Sequence, residues 1–383
     1  MRLLHTSDWH LGRSFHGVGL LDAQATYLEH LVQVVRSERV DAVLVSGDVY
    51  DRALPPPDAV RVLDEAVTRL SELTQVVISS GNHDSATRLG FGAGVLERSG
   101  VHVRTSLASI GRPVQVADGV IYPLPYLEPS LTAEPLAAAE RTHAGVLRAA
   151  MQRVRADLTS RTGPSVVMAH AFVTGATSSD SERDIAVGGV AAVPAEVFDG
   201  ISYAALGHLH RPQAVTDSVR FSGSPLAMSF SETGQVKESV LVEATVAGLR
   251  TTSIAAPVPR PLARLRGELA DLLSDPAYGE AEQSWCEVTL TDASRPAGAM
   301  EQLRRRFPHT LVLAFDAPVG SRSIGSYATR VRDRADLDVC CDFLDHVRGR
   351  DAADDERALF EIALEQTRTD RARRDDEGQV GAA

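Results

Sequence analysis

Five short segments of this 383-residue chain carry side chains able to hold a metal ion, and each stands just past an apolar run. They are Asp8-x-His10 in "TSDWHLG", Gly47-Asp48-Val49-Tyr50-Asp51, Gly81-Asn82-His83-Asp84, His170 at the end of "SVVMAH", and Gly207-His208-Leu209-His210. A mixed set of oxygen and imidazole donors suits Mn2+, with Mg2+ or Fe behind it, and does not suggest a structural zinc site. Two such ions about 3.5–4 Å apart can clamp a phosphate and ionise a bridging water.

Each segment alone has an ordinary reading. Asp8-x-His10 fits a capped loop, Gly47-Asp48 a turn, and Asn82-His83-Asp84 a helix cap. A lone His170 fits a satisfied core histidine. His208 and His210 alternate at strand spacing, which puts both on one side. Five of the 12 histidines nevertheless fall in these turns, all at strand ends, and that joint occurrence argues for one site.

The elements around them explain how they would meet. Residues 2–7, 41–48, 75–84, 120–126, 165–172 and 201–210 read as strands. Residues 22–37, 57–73 and 134–160 have helical spacing, with Pro near the start of the second. Strands separated by such helices imply a layered α/β sheet, largely parallel, whose C-terminal strand ends face one crevice. Gly47, Gly81 and Gly207 are expected to let the backbone turn sharply beside it. "SVRFSGSP" and "ESVLVEATVAGLRTTSIAA" read as antiparallel, with "AGL" as a hairpin turn. "PVPRP" at 257–261 marks a domain boundary. Beyond it, strands at 260–267, 284–291 and 309–316 with helices near 267–274 and 297–306 make a small α+β unit. Residues 317–338 read as a polar linker, 338–349 and 354–369 as helices, and the last dozen residues as disordered.

Bulk properties set the class. Apolar content of 44% and charged content of 23% are those of a globular protein too long for one core. There is no apolar run of about 18 residues and no apolar N-terminal leader, so a cytoplasmic protein without a membrane span is expected. Cys286, Cys340 and Cys341 form no CxxC pair and read as packing residues. The net charge of −12 argues against a nucleic-acid partner on its face, but acid is concentrated near the C-terminus and two bound dications would reverse the local field. Lys237 is the one lysine among 39 basic residues.

This set of motifs resembles the calcineurin-like metallophosphoesterase superfamily, whose pattern is DxH, GDxxD, GNH[DE], H and GHxH, over roughly the first 230 residues. Within it, "RLLHTSDWHLGR", "VDAVLVSGDVYD", "SSGNHDS", "YAALGHLHRPQ" and "FSGSPLAMSFSE" resemble the SbcD family of nuclease subunits. The resemblance implies a sheet sandwich flanked by helices over 1–257, a capping DNA-contact domain over 258–316, and a linker with a helical docking tail over 317–383. It also implies that Asp48 bridges two Mn2+ ions, with Asp8, His10 and His210 on the first and Asn82, His170 and His208 on the second.

His83 adjoins a ligand but is assigned to neither ion, which makes it the candidate proton donor or transition-state clamp. By resemblance Asp51 is its orienting acid, with Asp84 as a second candidate. Arg13, His16 and Arg52 could contact phosphate or be solvated loop residues. By resemblance the activity is 3′→5′ exonuclease on duplex DNA and endonuclease on single strands and hairpins. The partners implied are DNA and an SbcC-like coiled-coil ATPase, with a homodimer inside a heterotetramer. "DVCCDFLDHVRG" and "ERALFEIALEQT" have apolar spacing that suits docking helices. The competing readings are a phosphoesterase acting on small nucleotides or phosphoproteins, and a scaffold that has lost its metals.

Overall fold

A computed structural model of the chain describes residues 1–182, 192–316, 336–348 and 352–380. It divides into two units, Met1–Asp316 and Ala317–Ala383. In the first unit the strands are β1 (Arg2–Thr6), β2 (Ser14–Phe15), β3 (Val18–Gly19), β4 (Ala42–Ser46), β5 (Gln75–Ser79), β6 (Val101–Arg104), β7 (Val114–Val116), β8 (Gly119–Pro123), β9 (Ser165–His170) and β10 (Tyr203–Gly207). They continue with β11 (Gln213–Ala214), β12 (Val219–Phe221), β13 (Glu238–Thr245), β14 (Gly248–Ala255), β15 (Leu262–Gly267), β16 (Trp285–Leu290) and β17 (Thr310–Phe315).

Two six-stranded sheets stack face to face. Their strand orders are β14-β13-β1-β4-β5-β6 and β11-β12-β10-β9-β8-β7. In each, four neighbouring strands run parallel: β1, β4, β5 and β6 in one, and β8, β9, β10 and β12 in the other. Such strands need apolar residues on both faces. The inner faces meet in a core that includes Leu3, Leu44, Val77, Ile121, Val166, Met168 and Val240. The outer face of the first sheet is covered by α1 (Leu21–Glu38) and α2 (Pro57–Ser71). Helix α1 buries Tyr27, Leu28, Leu31, Val32 and Val35, a spacing of three and four residues that lays one stripe on the sheet. Pro57 starts α2, where its missing N–H costs no helical hydrogen bond. After the short turns α3 (Ala86–Leu89) and α4 (Ala93–Leu96), helices α5 (Pro129–Leu136) and α6 (His143–Leu158) cover the second sheet. The result is the layered α/β sandwich expected of a metallophosphoesterase.

The structure departs from the sequence expectation in four places. The helix expected over 134–160 is two helices, because Ala137 turns left-handed (φ 54°) and Thr142 begins a new helix by accepting from Gly145 N–H. Strand β12 lies parallel to β10 and antiparallel only to β11. The β13–β14 turn is Val246-Ala247, one residue earlier than "AGL". Helix continues to Val380, into a segment expected to be disordered, of which residues 381–383 lie outside the described residues. Of the expected linker, residues 317–335 lie outside the described residues.

Strands β15, β16 and β17 form a parallel sheet with α7 (Leu269–Ser274) and α8 (Ala299–Arg306) around Leu265, Leu272, Cys286, Val288, Leu303 and Phe307. A second cluster ties this sheet to the loop after β1: Phe15, Leu20 and Phe230 pack with Leu262 and Trp285. The second unit contains two helices, α9 (Asp336–Arg348) and α10 (Asp354–Val380), joined across their faces by the Arg357–Asp338 ion pair at 3.4 Å. No helix among the described residues is long and apolar enough to cross a membrane.

Candidate metal centre

All five ligand-bearing segments follow the C-terminal ends of parallel strands: β1, β4 and β5 in one sheet, β9 and β10 in the other. The stacked sheets bring the two sets together. The loops after β1 and β4 are joined by backbone hydrogen bonds, Asp8 N–H to Gly47 O (3.1 Å) and His10 N–H to Asp48 O (2.9 Å). Buried Gln24 on α1 locks the first loop by donating to the carbonyls of Trp9 (2.9 Å) and His10 (2.7 Å). The Trp9 ring is buried, and its Nε1 donates to Thr6 Oγ1 at 2.9 Å.

The glycines serve close approach more than turning. Of Gly47, Gly81 and Gly207, only Gly47 has a positive φ (86°). A Cβ on Gly81 would stand 2.1 Å from Asp48 Oδ1, and one on Gly207 would stand 1.9 Å from the Ser46 carbonyl oxygen. The strain falls on the functional residues instead. Asp8 (φ 53°), His10 (44°), Asp48 (49°) and His208 (103°) all occupy left-handed backbone, a cost of about 1–3 kcal/mol each that the surrounding packing must offset.

Asp48 stands at the centre. Its Oδ2 lies 3.5 Å from His10 Nε2, 3.4 Å from His170 Nε2 and 3.9 Å from His83 Nε2. On one side His10 Nε2 is 3.1 Å from His210 Nε2, and Asp8, His10 and His210 offer donor atoms to one point. On the other, Asn82 Oδ1 is 2.9 Å from His170 Nε2 and 3.3 Å from His208 Nδ1. Asp8 accepts the His208 backbone N–H at 3.0 Å and the Ser7 hydroxyl at 2.5 Å. All seven residues expected to hold metal therefore meet in one cluster, buried except for half-buried Asn82.

The donor chemistry fits cations. His170 Nδ1 donates to the Ser46 carbonyl at 3.0 Å and His83 Nδ1 to the Asp51 carbonyl at 2.7 Å, so both rings turn Nε2 inward. Nε2 of neutral His170 would thus aim a lone pair at two acceptor oxygens, on Asn82 and Asp48. Without a cation the ring must take a proton there. Burial works against that proton, but the Asp48 charge outweighs it and lifts His170 to about 9. Burial raises Asp8 to about 8, with the Asp48 charge adding to it against the opposing pull of His170. Asp48 stays ionised: burial opposes its charge, but His170 and then His10 and His83 hold it well below the usual carboxylate range. Burial keeps His10 and His210 well below the usual imidazole range and His208 at about 3, which leaves them in the neutral form that ligates. A dication would replace the protons on Asp8 and His170 and satisfy the facing lone pairs.

Two expected roles look different in place. Asp51 meets His83 through its backbone carbonyl, while its carboxylate lies 3.3 Å from Arg13 Nη1 and 3.8 Å from His10 Nδ1. Asp84 ties down the loop after β4, accepting from the backbone N–H groups of Val49 (3.1 Å), Tyr50 (2.9 Å) and Gly81 (2.9 Å). Of the three phosphate-contact candidates, Arg52 is exposed, Arg13 also donates to the Ser181 carbonyl (3.2 Å), and His16 packs on Phe15 and Phe230.

Sequence reasoning missed a supporting group. Ser181 Oγ is 2.6 Å from His210 Nδ1 and 2.7 Å from Glu232 Oε1, and Glu182 accepts the His210 backbone N–H at 2.8 Å. The one available signal was "FSGSPLAMSFSE", which ends at Glu232 and whose Ser222 hydroxyl meets that of Ser7 at 2.8 Å.

The family model described as calcineurin-like phosphoesterase matches residues 1–212, and the chain belongs to that family, a family of metal-dependent hydrolases acting on phosphoesters. The SbcD C-terminal model, described as type 5 capsule protein repressor C-terminal domain, matches residues 258–348. The two models in tandem support an SbcD-type nuclease subunit. Among solved structures, TT1561 of Thermus thermophilus is similar at 14% identity over 66% of this chain and 98% of its own, with a TM-score of 0.38.

Proposed function

We propose that this chain is a two-metal DNA nuclease that works with a coiled-coil ATPase of the SbcC type in DNA-end processing, recombination and repair. The observation that carries the reading is the Asp48 carboxylate, within 3.9 Å of imidazole nitrogens from three other segments. Asp8, His10 and His210 with Asp48 would hold one Mn2+, and Asn82, His170 and His208 with Asp48 the other, with Mg2+ as the alternative. When bound, the ions supply Lewis-acid charge for a phosphodiester and activation of water.

The chain's own residues do the rest. Asp48 offsets the repulsion between two cations, and the neutral imidazoles keep the site positive for an anionic substrate. His83 holds its Nδ1 proton on the Asp51 carbonyl and turns Nε2 toward Asp48 at 3.9 Å, where it can stabilise or protonate the leaving sugar oxygen. Arg13, held on Asp51, adds a fixed positive charge beside it.

Residues 1–257 form the nuclease part in this reading, and 258–316 cap it and contact DNA. The capping sheet is seated on Phe15, only five residues after His10, so DNA bound there is coupled to the first ligand loop. Residues 317–383 dock the ATPase. Exposed Phe343, Leu359 and Ile362 on α9 and α10 supply the apolar surface for that contact. Exposed Phe91 and Val95, after the Gly-Asn-His-Asp turn, support a second copy of the chain in a heterotetramer. The site of action would be the cytoplasm. The test is cleavage, with Mn2+ and the ATPase partner, of duplex ends, hairpin DNA and a small nucleotide phosphodiester. The reading expects 3′→5′ degradation of ends and endonucleolytic opening of hairpins. Turnover of the small diester alone would replace DNA by a small-molecule substrate.

A further inference from the structure

We infer that Ser181, Glu232 and Lys237 form a positioning circuit that fixes His210 with its proton on Nδ1 and its Nε2 lone pair facing the ligand cluster. The circuit closes on His210 twice. Glu232 Oε1 lies 2.7 Å from Ser181 Oγ, which lies 2.6 Å from His210 Nδ1. Glu232 Oε2 forms a close ion pair with Lys237 Nζ, which in turn donates to the His210 carbonyl at 2.9 Å. One carboxylate thus governs both the ring and the backbone of the same histidine.

The proton direction follows from donor arithmetic. Two oxygens 2.7 Å apart need a proton between them, and Glu232 is the acceptor because it is ion-paired with Lys237, so the Ser181 hydroxyl proton goes to Glu232 Oε1, which also accepts the Met228 N–H at 3.1 Å; Ser179 Oγ, 2.8 Å from Ser181 Oγ, keeps its own proton for Glu182 or Ser181. Ser181 Oγ is then left as an acceptor, and His210 Nδ1 must be the donor. That leaves Nε2 as the bare nitrogen, 3.1 Å from His10 Nε2.

Lys237 explains itself in the same terms. It is the one lysine in 383 residues, in a chain that uses arginine at its 38 other basic positions. Its side chain is buried, and its three N–H donors meet three acceptors: His210 O, Ser224 Oγ at 3.2 Å, and Glu232 Oε2. A planar guanidinium carries five donors in a fork and does not fit a compact three-acceptor pocket. The position accordingly requires an ammonium, and basic charge alone does not satisfy it.

The consequence for metal binding rests on the reading of His210 as a ligand; the tautomer does not. The experiment uses the full chain labelled with 15N-histidine and stripped of metal. The His210 ring signals are assigned by their loss in His210→Asn, and the tautomer is read from the ring nitrogen shifts. The circuit predicts an Nδ1-protonated ring in the wild type and loss of that fixed state in Ser181→Ala and Glu232→Gln. It predicts that Lys237→Arg behaves like Lys237→Met. A parallel Mn2+ titration should show one of two ions bound about 10–100-fold more weakly in Ser181→Ala and the other unchanged. Ser181→Ala removes a single oxygen, so it carries the test if the Lys237 variants fold poorly. An Nε2-protonated His210 in the wild type, or a Ser181→Ala protein with unchanged tautomer and unchanged Mn2+ affinities, overturns the circuit. If His210→Asn binds both ions normally while the tautomer behaves as predicted, the circuit stands and the ligand role of His210 fails.

Discussion

His83 is held by the backbone of Asp51: its Nδ1 lies 2.7 Å from the Asp51 carbonyl oxygen, while the Asp51 carboxylate is engaged with Arg13. The orienting contact therefore survives removal of the Asp51 charge. We predict that Asp51→Asn costs less than about tenfold in kcat, whereas His83→Ala costs about 100- to 10,000-fold, the range for a lost general acid. Equal losses in the two variants, in a steady-state nuclease assay, would show that the carboxylate and not the carbonyl sets His83.

Gly81 and Gly207 press on different parts of the site: Gly207 on the Ser46 carbonyl and His170, Gly81 on Asp48. Alanine at Gly207 drives a methyl group into the Ser46 carbonyl that joins the two sheets, and an overpacking cost of about 1–3 kcal/mol is expected in denaturant unfolding. Alanine at Gly81 strikes the Asp48 carboxylate itself. Its larger effect should be on Mn2+ affinity, measured by titration. A Gly81→Ala protein that binds both ions normally would show that Asp48 tolerates displacement.

The pH dependence has a definite sign. Asp8 is raised to about 8, by burial first, and His170 to about 9, where the Asp48 charge overcomes burial. In the unfolded chain these groups release their protons near 3.8 and 6.5. Between those limits the metal-free folded state binds more protons than the unfolded state, so its stability falls as pH rises toward 9. Metal binding displaces the same protons, so Mn2+ affinity rises over that range. The gap in Tm between Mn2+-loaded and metal-free protein should widen from pH 6 to pH 9. A constant gap would remove Asp8 and His170 from the ligand set.

Much of this site was legible in the chain because metal ligation needs particular atoms at strand ends, and both the residue types and the apolar runs before them are local features. Asp8 and His10 follow a strand read from sequence, and Asp48, Asn82, His170, His208 and His210 lie in the closing residues of four others. What was not legible depends on pairs distant in sequence. Nothing local says that Gln24 on α1 locks the Trp9-His10 backbone, that Asp84 belongs to the loop after β4, or that Glu232 reaches His210 through Ser181. The break at Ala137–Thr142 was hidden by helix-favouring alanines on either side, since Thr142 caps only once the chain has already turned.

The C-terminal helices give a prediction independent of the metals. Leu359 and Ile362 are 65% and 58% exposed and three residues apart on α10, so they share a face. The double change to Asp should abolish co-purification with the ATPase partner and leave Mn2+ affinity as in the wild type. Retained co-purification would move the docking surface off this helix.

Whether two cations share Asp48 is decided by electron paramagnetic resonance of the Mn2+-titrated protein. Two Mn2+ per chain are expected, with a spin-coupled spectrum that is lost in Asp48→Asn. A single uncoupled Mn2+ in the wild type, or a coupled pair that persists in Asp48→Asn, would contradict that sharing.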